Sequence, residues 1–291
     1  MKSKTDWAKL DKMTDETINM SDIPELDEDF FERATFRMTS VLPLLTASNL
    51  DTPHGFTTRA GGVSSGHFGS LNLGLSTGDD PDKVARNRER VLAQLGATRK
   101  TACALEQVHS ARVIVAEPSW YELEADASIT DDPDLLLIIS VADCQPLLFH
   151  DPVRRVVGAA HAGWRGTVGG IAGNVVQKLQ EHYGSEPQDI RVALGASIQG
   201  ACYQVGAEVV EAFDNARFPS RVYTPDDEGR YRLDLTAANR YALHQAGVPD
   251  TNIFALDACT HCDPEQFYSH RRDGLKRGSH WAVIKLDERE A

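Results

Sequence analysis

The chain has 291 residues, 41% of them hydrophobic, which is enough to bury a sizeable core. Its 30 basic and 43 acidic side chains leave a formal charge of −13, a surface that repels nucleic acid and anionic membranes. Any phosphate held here must therefore sit in a local basic pocket. No run of about 18 apolar residues marks a membrane span, and the N-terminus lacks the apolar stretch of a signal peptide. Five cysteines, an odd number in a chain too large to need staples, fit reduced thiols and an expected cytoplasmic location.

Residues 1–37 are acidic around Ser21–Arg33 and are expected to form a flexible extension, with the folded domain at 38–291. Strand and helix signals then alternate. His54–Thr58 reads as a strand, and Lys83–Leu95 as a helix with Val84, Val91, Leu92 and Leu95 on one face. Val108 and Val113–Val115 read as one long β run broken at His109-Ser110. Leu135–Val141 is a continuous apolar run, as in a strand buried on both faces. Pro146–Phe149 and Arg155–Ala160 read as further strands, and Gly166–Tyr183 as a helix capped by Gly184. Ile190–Leu194, Ile253–Leu256 and Trp281–Leu286 are expected strands, and Ala207–Phe213 and Leu235–Ala246 expected helices. The pattern predicts a mixed-sheet α/β (α+β) unit with no internal linker.

Three of these apolar segments run into a soft or reactive side chain: His109, Cys144 in Ala142-Asp143-Cys144-Gln145-Pro146, and His161 in His161-Ala162-Gly163-Trp164-Arg165-Gly166. Strand ends are where α/β proteins gather functional groups. Two imidazoles and a thiolate suit a borderline-soft metal with one position left open for water or substrate. The same residues also allow a Cys nucleophile beside a His base, or a buried cysteine with no role. Glycines at 163, 166, 169 and 170 let backbone N–H groups approach an anion at a helix start, and Arg165 can close on it. Thr57-Thr58-Arg59-Ala60-Gly61-Gly62 repeats the arrangement. Arg59, Arg165, Gly163 and Gly166 are thus candidate phosphate or substrate contacts.

Asn72-Leu-Gly-Leu, Gln107-Val-His109, Ala125-Asp126-Ala127, Ala142-Asp-Cys-Gln-Pro146, His161-Ala-Gly-Trp-Arg-Gly166, Tyr203-Gln-Val-Gly206 and Tyr268-Ser-His-Arg-Arg-Asp-Gly274 occur in the order of the YfiH-like (laccase-domain) family. The resemblance covers about residues 40–286. It implies a single domain with mixed β-sheets packed together and helices outside, and it places the metal ligands on His109, Cys144 and His161. Zinc is the expected ion, with copper also compatible with these ligands. The sequence departs from the family pattern at Gly195–Tyr203, at Ser110 and at Lys276-Arg277-Gly278, which bears on the rim of the pocket.

The resemblance also implies three activities. One is purine nucleoside phosphorylase with adenosine deaminase and methylthioadenosine phosphorylase activity. The others are editing of peptidoglycan precursors by a cysteine-type amidohydrolase, and polyphenol (laccase-like) oxidation. A multicopper oxidase needs many histidines, largely in His-x-His pairs; this sequence has ten histidines and no such pair. The purine reading is therefore expected, with a nucleoside and phosphate as small-molecule partners. His109, Cys144 and His161 would hold the metal, Cys144 and His161 would take part in the chemistry, and Asp143 would orient the site or accept a proton. Cys259-Thr-His-Cys262 lacks a second C-x-x-C to complete four ligands and is expected to serve packing or the substrate rim.

Overall fold

The computed structural model describes residues 41–287. The expected acidic extension, residues 1–37, lies outside them. The apolar run predicted as a doubly buried strand is the middle of a six-stranded mixed sheet. In chain order its strands are β1 (Leu44–Leu45), β2 (His54–Thr57), β3 (Ala102–Glu106), β5 (Ser119–Glu124), β7 (Leu136–Val141) and β15 (His280–Ile284), arranged β1-β2-β15-β7-β3-β5. A second mixed sheet holds β4 (Val113–Val115), β6 (Ala127–Thr130), β8 (Gln145–Asp151), β9 (Val156–Ala162), β10 (Arg191–Leu194) and β14 (Ile253–Ala255), arranged β14-β10-β8-β9-β6-β4. A small antiparallel sheet is formed by β11 (Gln204–Val205), β12 (Tyr223–Pro225) and β13 (Tyr231–Leu233).

Residue parity along β7 explains why it is apolar throughout. Leu137, Ile139 and Val141 face the second sheet, where they meet Leu148, Val157, Ala159 and Ala193. Leu136 and Ile138 point the other way, onto Val91 and Leu92 of helix α1 (Pro81–Gln94) and onto Leu71 and Leu73. The far face of the second sheet is covered by α3 (Ile171–Tyr183) through Ile171, Val175, Val176 and Leu179, and by Leu243 of α5 (Leu235–Gln245). Burying each such side chain stabilises the fold by about 1.5–3 kcal/mol. The result is two face-packed mixed sheets with helices outside, as expected. A separate apolar cluster joins α4 (Ala207–Asn215) to the small sheet through Val209, Phe213, Val222 and Leu233. Among the described residues, no helix is long and apolar enough to cross a membrane.

Two expected elements are corrected. The helix predicted over Gly166–Tyr183 is two helices, α2 (Trp164–Val168) and α3, because Gly170 sits in the left-handed region at φ 82° and breaks the ladder between them. The single β run predicted from Val108 to Val115 is divided between sheets: β3 ends at Glu106 in the first and β4 lies in the second. Residues 107–112 are the crossover, and His109 lies on it. The last short helix is α6 (His270–Asp273), N-capped by the Ser269 hydroxyl.

Candidate active site

The ends of β3, β7 and β9 open at one edge of the sandwich, and that places the three predicted ligands together. One donor atom each from His109, Cys144 and His161 lies within 4.8 Å of the others. The two imidazoles meet edge to face, centroids 4.8 Å apart. His161 is buried, Cys144 half-buried and His109 exposed, so the trio is walled on the protein side and open on the other. A nitrogen and sulfur donor set at this spacing, with one open face, fits a borderline-soft metal such as zinc or copper.

Asp126 holds this arrangement in place. Its buried carboxylate accepts backbone N–H bonds from Val108 (3.2 Å), His109 (3.0 Å) and Ser110 (2.6 Å), and the Ser110 hydroxyl at 2.8 Å. The loop is thereby fixed with His109 at φ 60°, a left-handed conformation that costs a non-glycine residue about 1–3 kcal/mol. The same carboxylate accepts His161 Nδ1–H at 2.8 Å, which fixes the tautomer and leaves Nε2 free for a metal. One carboxylate therefore orients both histidines. Burial works against its charge, but the hydrogen bonds from His161 and Ser110 hold the Asp126 carboxyl below the usual range.

Without metal, the surroundings push Cys144 and His161 toward a thiolate–imidazolium pair. Burial alone raises the Cys144 thiol, but the His161 charge and hydrogen bonds from His109 and His161 pull it down to about 6. Burial likewise lowers His161, while the Cys144 thiolate and Asp126 raise it to about 9. A thiolate is the form that binds metal. Gly163 is needed beside it: a Cβ there would stand 3.0 Å from Cys144 Sγ and 3.3 Å from His109 Cδ2. At Gly166 a Cβ would meet the Ser110 carbonyl at 3.0 Å and the His161 carbonyl at 3.3 Å. Both glycines serve close packing against the ligand loops.

The centre opens into a cleft of about 690 Å³. Its walls include Gln107, Tyr203, His270, Arg271 and Arg277, with Arg88 and Tyr121 deeper in. Neither predicted arginine is among the residues lining the cleft, although Arg165 is near enough to act on Tyr203 at its wall. Arg59 donates to the carbonyls of Gly69 (2.8 Å) and Pro264 (2.6 Å) and lies over the Tyr268 ring, off the cleft wall. Arg165 is exposed and covers the Trp164 ring, also outside the lining. Asp143 is at the cleft, but its carboxylate already accepts from Thr260 Oγ1 (2.6 Å), Ser269 Oγ (3.1 Å) and the Arg271 N–H (2.6 Å). It ties the C-terminal segment to the Cys144 loop.

Asp126, Arg271 and Arg277 are the site residues that sequence reasoning did not select. For Asp126 a signal existed: an acidic side chain between two alanines at a strand start is out of place unless buried and paired. For Arg271 the Arg271-Arg272 pair is the signal, which reads as a solvated charge pair; Arg277 has none, since its approach to the cleft depends on the loop after α6.

The family model described as multi-copper polyphenol oxidoreductase laccase matches residues 53–287. A Deinococcus radiodurans protein named purine nucleoside phosphorylase is 46% identical over 86% of this chain and 95% of its own length. A protein from an unidentified prokaryote, named adenosine deaminase RL5, is 34% identical over 80% of this chain and 93% of its own. The crystal structure of YlmD from Geobacillus stearothermophilus superposes with a TM-score of 0.78 at 38% identity, covering 83% of this chain and 94% of that one.

Proposed function

The chain belongs to the multi-copper polyphenol oxidoreductase laccase family, and within it we propose that this protein is a zinc-dependent purine nucleoside phosphorylase that also deaminates adenosine. The observation that carries the reading is the junction of a three-ligand, one-side-open centre with a cleft that presents Arg271 and Arg277. Relatives named for both activities, matching over most of their length, support it. One thiolate and two imidazoles hold a single ion, whereas the four-electron reduction of oxygen needs a cluster. The ligand count therefore favours hydrolytic and phosphorolytic chemistry over phenol oxidation.

When bound, zinc supplies Lewis acidity and lowers the pKa of a water at the open position. The rest is work for the chain. Asp126 holds His109 and His161 in the ligating geometry. Arg271 and Arg277 bind phosphate and place an oxygen in line with C1′. The C1′–O bond forms as the C1′–N bond breaks, and the base leaves with that electron pair and takes up a proton. Tyr203 keeps its own proton: burial and then the nearby Cys144 thiolate push its hydroxyl up to about 12, so it serves as a hydrogen-bond donor to substrate. In deamination water adds at C6 and ammonia leaves. The free thiols fit a reducing, cytoplasmic setting.

A second reading is favoured by one observation. Cys144, His161 and Asp126 stand in the order nucleophile, base and orienting carboxylate, as a cysteine amidohydrolase requires. Zinc and an acyl group compete for the same sulfur, so one experiment separates the two. Zinc-loaded protein is incubated with adenosine, inosine or methylthioadenosine, with and without phosphate, with Cys144→Ala as control. Phosphate-dependent base release and ammonia release, both lost in the variant, are expected. No turnover from fully loaded protein would overturn the purine reading and favour amide hydrolysis.

A further inference from the structure

A second group of soft donors lies outside the His109–Cys144–His161 centre. The Sγ atoms of Cys202 and Cys262 are 2.9 Å apart. A ring nitrogen of His261 joins them, with every pair of donor atoms within 4.8 Å. Cys259 neighbours these thiols, but its Sγ lies outside the group of donors that are mutually within 4.8 Å. The lone C-x-x-C of the sequence thus finds its missing sulfur in Cys202, some sixty positions earlier in the chain.

The backbone around the sulfurs is built in the manner of a closed metal site. Cys259 and Cys262 flank a tight turn in which the Asp263 N–H donates to the Cys259 carbonyl at 3.2 Å. The Gln199 N–H donates to Cys259 Sγ at 3.4 Å, an outer contact of the kind that orients a ligating thiolate. The Thr260 N–H donates to the Ser197 carbonyl, which pins the loop that carries Cys202 to the loop that carries the other three donors. Arg272 donates to the carbonyls of Thr260 (2.9 Å) and His261 (3.0 Å), placing positive charge beside what would be three thiolates. Cys262 is exposed, which supplies an entry path.

We propose that Cys202, Cys259, His261 and Cys262 bind a second ion, zinc or a similar borderline-soft divalent metal, in a four-ligand structural site. Each ligating thiol loses its proton to solvent as the ion enters, and no redox partner is required. Two sulfurs and one nitrogen already lie within mutual reach, and a rotation of the neighbouring Cys259 side chain would add the third sulfur of a tetrahedral structural zinc site. The ion ties the Tyr203 side of the cleft to the loop whose Thr260 hydroxyl donates to Asp143 at 2.6 Å, next to Cys144. It therefore acts as a clamp on one wall of the substrate cleft.

None of these ligands belongs to the first centre, so the test does not depend on which reaction the protein catalyses. The full chain is purified under reducing conditions, loaded with zinc and desalted, and zinc per chain is measured by elemental mass spectrometry. Two ions are expected for the wild type, one for Cys144→Ala, and one for Cys202→Ser/Cys262→Ser. In the Cys144→Ala background, cobalt should give an intense thiolate-to-metal charge-transfer band that disappears when Cys202 and Cys262 are also replaced. A single ion in the wild type with none in Cys144→Ala would overturn the proposal even if the double variant failed to fold. So would a Cys202–Cys262 disulfide that persists under reducing conditions and excludes the metal.

Discussion

Replacing Asp126 with asparagine keeps the volume and removes the charge that organises the site. The native carboxylate accepts from five donors: three backbone N–H groups, the Ser110 hydroxyl and His161 Nδ1–H. An amide offers one acceptor oxygen and turns an NH2 toward the remaining donors, so at least two bonds are lost. Hydrogen bonds to a charged, buried group contribute about 1.5–3 kcal/mol each, so losing two gives a destabilisation of about 3–6 kcal/mol in the metal-free chain. His161 loses the partner that fixes its tautomer and His109 loses the restraint on its left-handed backbone. Zinc affinity should then fall about 10–100-fold, or about 1.4–2.7 kcal/mol. Urea unfolding of the metal-free protein measures the first quantity and chelator competition the second. Zinc affinity within about twofold of wild type, with an unchanged urea midpoint, would refute the role given to Asp126.

Three further outcomes are expected. In the metal-free protein, Cys144 is depressed from 9.0 to about 6, so its contribution is present above pH 9 and is lost as pH falls toward 6. His161 is raised from 6.5 to about 9, so its contribution is present below pH 6.5 and is lost as pH rises through 9. The two slopes oppose each other and nearly cancel between about pH 6.5 and 9, so thermal unfolding of the metal-free protein should show little pH dependence from this pair there, and a steep slope lost in Cys144→Ala would contradict the pairing. Gly163→Ala, at an ordinary φ of −72°, introduces a Cβ 3.0 Å from the Cys144 sulfur. Chelator competition should show weakened zinc binding with little change in Tm, and unchanged binding would mean the ligand loops have slack. Arg271→Ala or Arg277→Ala should raise KM for phosphate about tenfold while adenosine deamination, which uses no phosphate, changes less. Arg59→Ala should leave that KM unchanged, because Arg59 is not among the residues lining the cleft.

Much of this was legible in the sequence where local chemistry and tertiary demand coincide. Leu135–Val141 reads as a doubly buried strand because β7 has an apolar layer on each side. Cys144 and His161 stand out because each follows such a strand, and the structure brings them within reach of His109. The failures arise where distant residues decide. Gly169-Gly170 reads as the entry to one helix, whereas Gly170 adopts the left-handed conformation that separates two. His109 reads as a break in a strand because nothing local reveals a crossover between sheets, held by Asp126 seventeen residues on. Arg59 and Arg165 have the glycine-rich surroundings of anion sites, and neither is among the residues lining the cleft. The arginines at the cleft arrive on α6 and the loop after it, far along the chain.

The most direct test of the account is the fate of phosphate during turnover. Zinc-loaded protein is given inosine and inorganic phosphate, and the reaction is followed by phosphorus NMR together with chromatography of the base. The account predicts ribose 1-phosphate and hypoxanthine in equal amounts, with neither formed by Cys144→Ala. Hypoxanthine accompanied by free ribose, or no cleavage at all by the zinc-loaded wild type, would contradict it.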